Sequence, residues 1–336
     1  LKGLIVSPSP HRSSFLSTKF IMLQVIIALV PNIVACTIIF GLRALLVLAV
    51  CVVSCVVFEA LCRKIMKRDQ TVSDLSAVVT GILLGMNLPV TIPLFVAVIG
   101  SFIAIVIVKQ LFGGIGQNFA NPAITARIVL MFSFTSYMST WAVPFFYKTA
   151  ADTATGATSS DVVTGATPLA AKWAEYTSNG AAYKMAPYQL KDLFLGTTGG
   201  CLGETCALAI IIGGVYLIAT RVISASTPVA FIGSLALLTF IYTGSGVETV
   251  YQIFAGGLMI GAFFMATDYA TTPVTTKGKI IFGIGCGIIT FVIRQFGNYP
   301  EGVSFSILLM NLLTPYIDRI TKTSPLGAKP LVKEAK

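Results

Sequence analysis

Charge is what this chain lacks. Only 11% of its 336 residues are Asp, Glu, Lys or Arg, against roughly a quarter in a soluble domain. That shortfall excludes a soluble globular protein of this length. Histidine is almost missing: His11 is the only one, so a histidine metal centre built from this chain alone is not expected. The seven cysteines, Cys36, Cys51, Cys55, Cys62, Cys201, Cys206 and Cys286, include no CxxC pair. Most fall in apolar stretches, where a free cysteine behaves as a small hydrophobe. A zinc or iron–sulfur site built from this chain alone is not expected; a cluster would have to be shared at a subunit interface. The glycines at 113–116 follow an apolar run rather than a strand, so no dinucleotide fingerprint is met in context. Net charge is +10, but no basic patch interleaves with aromatics, and no nucleic-acid role follows. The chain is not expected to be an enzyme by itself, and any redox chemistry must come from an organic cofactor.

What the chain has is apolar length. Runs near the ~20 residues that cross a hydrocarbon core recur throughout. They predict ten spans, at 21–41, 44–62, 74–88, 92–112, 121–144, 196–219, 228–243, 251–267, 280–297 and 303–318. The fold class is an all-α polytopic membrane protein. Lys2, Arg12 and Lys19 precede the first span. Arg63, Lys64, Lys67 and Arg68 follow the second, Arg221 the sixth, and Lys277 and Lys279 the eighth. The alternate short loops around Pro89, Gly246 and Pro300 carry no Lys or Arg. The positive-inside rule then places both termini in the cytoplasm. The N-terminal arm, residues 1–20, lacks an apolar h-region, and no cleavable signal peptide is expected.

Residues 145–195, rich in Ala, Thr, Gly and Ser, cannot span and by parity form an extracytoplasmic loop. This loop divides the chain into five-span halves, 21–144 and 196–318, followed by a cytoplasmic tail, 319–336. Both halves hold a glycine-rich break. Gly113-Gly114-Ile115-Gly116 leads to Asn121-Pro122, and Gly256-Gly257 leads to Thr267-Asp268 and Thr272-Pro273. Five spans per half with paired breaks predict a 5+5 inverted repeat with a site at its interface, although membrane helices are glycine-rich in general.

Within the loop, Asp161-Val162-Val163-Thr164-Gly165-Ala166-Thr167 resembles the motif at which a flavin transferase esterifies threonine with FMN. Gly165 and Ala166 are small enough for a modifying enzyme to close on the hydroxyl, and Pro168 disfavours helix at Thr167. Asp152 to Thr158 satisfies the same loose pattern, as a biased linker would. Thr167 is preferred because Pro-Leu-Ala follows it.

These strings, together with Ser9-Pro10-His11, Asp74-Leu75-Ser76-Ala77-Val78-Val79-Thr80-Gly81, Gly113 to Ala123, Gly203-Glu204-Thr205 and Ala266-Thr267-Asp268, carry a family resemblance over nearly the whole chain. The chain resembles the D subunit of the Rnf ferredoxin:NAD oxidoreductase complex and, more distantly, the B subunit of the sodium-translocating NADH:quinone reductase. One departure is Val162, where the transferase motif often has Gly. The resemblance implies an FMN phosphodiester on Thr167, with Asp161, Thr164, Gly165 and Ala166 as its motif. It implies electron relay with the FMN-bearing G subunit, membrane partners A, C and E, modification by a flavin transferase, and a bacterial cytoplasmic membrane location. It further implies a non-covalent riboflavin, for which Gly116, Asn118 and Asn121 are the candidate pocket; the same residues could equally form a plain helix break.

Charges inside a membrane are costly and so are functional or paired. Asp268, with Thr267 beside it, and Glu204 are candidates for ion coupling. Alternatives are an ion pair, for instance Arg127 with Asp268, or contact with a neighbouring subunit. Glu59 and Lys109 lie near span ends and are read as interfacial anchors. Two other functions stay open: a stand-alone channel or transporter for a small polar solute, and a scaffold or quinone-binding subunit whose threonine is never modified. Neither would carry a flavin.

Overall fold

The computed structural model describes residues 17–147, 167–169, 190–297 and 301–322. Asp161, Thr164, Gly165, Ala166 and the alternative Thr158 lie outside the described residues. Among the described residues the fold is helical, with no β-strand.

The first long helix, α1 (Thr18–Phe40), starts where Ser17 accepts the Phe20 N–H at 3.2 Å. It stops at Gly41, whose φ of 74° turns the chain into α2 (Leu42–Ile65). Arg63 and Lys64 in the last turn of α2 complement the negative end of its dipole. A short turn leads to α3 (Ser76–Met86), every residue of which except Val78 is buried. Pro89 and Pro93 separate it from α4 (Leu94–Phe102), which widens into a π-helix over Ile103–Gln110. Asn121 caps α5 (Pro122–Ser133), with proline in the first turn, where its missing N–H costs nothing. A single turn, α6 (Thr135–Met138), completes this half.

The second half contains α7 (Leu190–Leu195), α8 (Ala207–Ala219), α9 (Ser226–Thr243), α10 (Gly246–Phe254), and α11 (Leu258–Ile260), which continues as a π-helix over Gly261–Met265. The last two helices are α12 (Thr276–Phe296) and α13 (Val303–Ile320).

Among the described residues, four helices (α1, α2, α9 and α12) are long and apolar enough to cross a membrane, and a fifth span results if the bent pair α10 and α11 counts as one. The expected spans differ from these in a physical way. Span 74–88 is the 11-residue α3, 121–144 is the 12-residue α5 plus one turn, and 251–267 bends by 68° at Ala255-Gly256-Gly257. Broken helices leave backbone groups open, which a bilayer tolerates only where protein surrounds them. Burial of α3 and of the Gly256-Gly257 break meets that condition.

The N-terminal and C-terminal parts of the chain pack against each other. α1 packs on α8 and α5 packs on α13, while α2–α3 and α9–α12 pair within their own halves. Close approach explains two glycines of α12: a Cβ on Gly283 would fall 2.8 Å from the Thr227 carbonyl, and Gly287, one turn on, meets Phe231 in the same way.

Candidate functional site

The polar residues singled out in the sequence assemble into two groups, at opposite ends of the bundle. At the end bearing residues 167–169, Leu169 packs into a small apolar cluster with Leu193, Tyr251 and Ala255. The Tyr251 hydroxyl, fully buried, donates to the Pro168 carbonyl at 3.3 Å. Thr167-Pro168-Leu169 is thereby fastened to α10 and α7. Thr167 itself is 8% exposed and borders a cavity of about 10 Å³ whose wall includes Thr198, Gly200, Glu204, Thr205 and Glu301.

Behind that wall lies a buried charge cluster centred on Arg127 of α5. Its guanidinium donates to Asn87 Oδ1 at 2.7 Å and to Cys201 Sγ at 3.4 Å. It pairs with Glu301, and its Nη2 lies 2.7 Å from Glu204 Oε1 in an ion pair that lacks a directed hydrogen bond. One guanidinium thus faces two carboxylates. Glu301 sits between α12 and α13, where burial pushes its carboxyl well above the ordinary range; Arg127 opposes that rise and Glu204 adds to it. The Gly256-Gly257 break closes directly on this cluster: a Cβ on Gly257 would lie 2.9 Å from Glu204 Oε1. Arg294 holds the same break from α12, donating to the Gln252 carbonyl at 2.7 Å and the Ala255 carbonyl at 3.1 Å.

The FMN expected on Thr167 can be tested against these neighbours. Thr205 Oγ1 is buried without a partner, a polar atom that a ligand oxygen would satisfy. The cavity, however, at about 10 Å³ has room for roughly one water, and two carboxylates in its wall repel a phosphate. The cavity does not accept the group, so an FMN esterified to Thr167 lies outside it.

At the opposite end, Asn118, Asn121, Thr267 and Asp268 line one cavity of about 90 Å³, with Ser76, Thr80 and Lys109. The structure therefore joins residues expected to divide between a riboflavin pocket and an ion site, and it separates Glu204 from Asp268. Asn121 is committed to capping: its Oδ1 accepts from Ala123 N at 3.1 Å and Ile124 N at 3.4 Å. Gly116 is exposed, adopts φ of 86°, and is not part of the wall. Asn118 Oδ1 is buried and unpartnered, which is the one feature here pointing to a ligand. At about 90 Å³ the cavity has room for several waters, and Asn118 Oδ1 is the atom through which it would hold a polar ligand such as riboflavin.

Asp268 lies beyond the π-helix of α11. Its carboxylate accepts from Ala270 N at 3.4 Å and from the Thr271 hydroxyl at 3.3 Å, and burial raises its pKa against those two bonds. Thr267 donates to the Phe263 carbonyl at 2.7 Å. Among the described residues no group of three His, Cys, Asp or Glu side chains forms a metal centre.

Two readings of the sequence change. Arg127 pairs with Glu204 and Glu301, not with Asp268. Glu59 and Lys109 are not interfacial anchors: they are 1% and 2% exposed and form a 2.8 Å ion pair, because α3 and the turn before it fold over them. Ser76 and Thr71 complete that network at 2.7 and 2.8 Å. Glu301 and Arg294 are functional neighbours that the sequence reading misses. The only signal for them is a lone carboxylate in a loop of Gly, Asn and Pro, and an arginine near the end of an apolar span.

The chain matches the model of the NQR2, RnfD, RnfE family over residues 5–327. It is 47% identical over 337 residues to the D subunit of the Na(+)-translocating ferredoxin:NAD(+) oxidoreductase complex of Acetobacterium woodii, covering 99% of this chain and 98% of that one. It is 42% identical to the D subunit of the proton-translocating ferredoxin:NAD(+) oxidoreductase complex of Clostridium ljungdahlii, over 96% of each chain. It is 39% identical to the D subunit of the ion-translocating oxidoreductase complex of Stutzerimonas stutzeri, over 94% of this chain and 95% of that one. Similarity of this extent, along the entire arrangement of broken helices just described, makes the chain a member of the NQR2, RnfD, RnfE family.

Proposed function

We propose that this chain is the D-type membrane subunit of an Rnf-type ferredoxin:NAD oxidoreductase, that it carries FMN as a phosphothreonyl ester on Thr167, and that it relays electrons in a process coupled to Na+ or H+ translocation. The observation that carries the reading is the fastened Thr167-Pro168-Leu169 segment, set over a buried charge cluster at the glycine break. FMN supplies one- and two-electron redox chemistry when attached. This chain's residues hold the attachment segment through Tyr251 and Leu169, and they keep the Arg127 cluster desolvated behind it. Partners in the reading are the other Rnf subunits, the flavin-bearing G subunit among them, and the transferase that modifies Thr167. A non-covalent riboflavin at the cavity lined by Asn118 and Asn121 belongs to the same proposal.

The test is in-gel flavin fluorescence of the denatured subunit, expressed with an active flavin transferase, beside Thr167→Val and Thr158→Val. The expected outcome is signal in the wild type and in Thr158→Val, and none in Thr167→Val. A dark wild type would remove the covalent flavin and leave a scaffold or channel.

A further inference from the structure

Beside the Asp268 cavity, at the same end of the bundle, a larger cavity of about 520 Å³ is lined in part by Arg221, Ser224, Thr227, Tyr269 and Lys279. No carboxylate lines it among the described residues. Asp268 faces the neighbouring cavity, and Asp318, on α13, accepts the Val274 N–H at 3.2 Å. Among the described residues neither Arg221 nor Lys279 has an acidic partner within ion-pair distance. Two cations therefore border one concavity with no counter-charge in its wall.

The start of α9 adds donors to the same wall. Its N-cap is Ala225, which makes no side-chain cap, so the first-turn N–H groups lack that partner. Thr227, in that first turn, is 2% exposed and lines the cavity. Other threonines in the bundle, such as Thr80, Thr125 and Thr314, donate to the carbonyl four residues back. Thr227 has no helical residue four back, and its hydroxyl makes no hydrogen bond among the described residues. A hydroxyl this buried, left unspent and bordering a cavity with two free cations, fits an anion carrying several oxygens.

We propose that this cavity binds a phosphate group, at the end of the molecule that the distribution of Lys and Arg assigns to the cytoplasm. The phosphate belongs either to an anionic lipid headgroup or to a soluble phosphate. The inference is independent of the flavin on Thr167, which lies at the opposite end.

The experiment uses the full chain in nanodiscs. One arm compares discs of phosphatidylcholine with discs containing phosphatidylglycerol, and native mass spectrometry counts retained phosphatidylglycerol. The other measures inorganic phosphate by equilibrium dialysis in phosphatidylcholine discs. The wild type is expected to hold one of the two probes. Arg221→Ala/Lys279→Ala is expected to lose about tenfold or more of that affinity, and Thr227→Val about threefold or more, as removal of charged or neutral hydrogen bonds predicts. Retained lipid identifies a headgroup, and bound phosphate identifies a soluble ligand. If the double variant misfolds, Lys279→Gln and Thr227→Val give the same reading in a folded chain. Equal retention of both probes by wild type and variants would overturn the site.

Discussion

Arg127 balances two carboxylates with one positive charge, and the consequences are those of a buried, over-committed ion pair. Removing one partner from such a cluster strands the others in a low-dielectric interior, at about 3–5 kcal/mol. Arg127→Leu is therefore expected to lower the thermal stability of the detergent-solubilised chain sharply, because Glu204 and Glu301 stay behind. Arg127→Leu/Glu204→Gln should recover part of the loss. If the double variant is no more stable than Arg127→Leu, the two carboxylates do not share the guanidinium. The sequence marks Arg127 and Glu204 as intramembrane charges but offers Asp268 as a partner. Its one hint of Glu301, a lone carboxylate in a loop, does not point to Arg127, which lies 174 positions away. Nothing local to either residue encodes that meeting; it arises because α5 packs on α13. Glu59 and Lys109 teach the same lesson. Each reads as a residue at the end of a span, and only α3 folding across both turns them into a buried pair.

Among elements, the glycine breaks were the most legible. Gly256-Gly257 within an apolar run announces an interruption, and α10 and α11 are separated there. The 68° bend was not legible, since it follows from what the break touches: Arg294 on one side and the Arg127 cluster on the other. The short segment at Thr167 is the second element with consequences. Its threonine is 8% exposed, so under the proposed function a transferase reaches the hydroxyl only when the segment lifts from α10. The Tyr251–Pro168 hydrogen bond opposes lifting by about 1 kcal/mol, the usual net value of a neutral pair. Tyr251→Phe is accordingly expected to speed flavin attachment up to about fivefold in a time course with purified transferase, by the same free-energy difference, with final occupancy unchanged. A slower time course would mean that the docked segment is what the transferase recognises.

Across the whole molecule, charge and packing carry different information. The long apolar helices and the scarcity of ionisable residues made a polytopic helical protein legible from composition alone. The interlocking of α1 with α8 and α5 with α13 was not, because apolar helices look alike from their sequences and their partners are chosen by small residues and breaks. Orientation rests on the asymmetry of the loops. Arg63, Lys64, Arg221 and Lys279 lie at helix ends on one side, whereas the short loops around Pro89, Gly246 and Pro300 on the other carry no Lys or Arg. Cysteine labelling can read this without a cysteine-free background, since all seven native cysteines are free and buried. Thr158→Cys in the loop and Lys329→Cys in the tail each add one thiol to the seven buried ones. In intact cells a membrane-impermeant maleimide is expected to label Thr158→Cys directly and Lys329→Cys only after permeabilisation. The reverse pattern would put the loop inside and overturn the orientation read from the distribution of Lys and Arg.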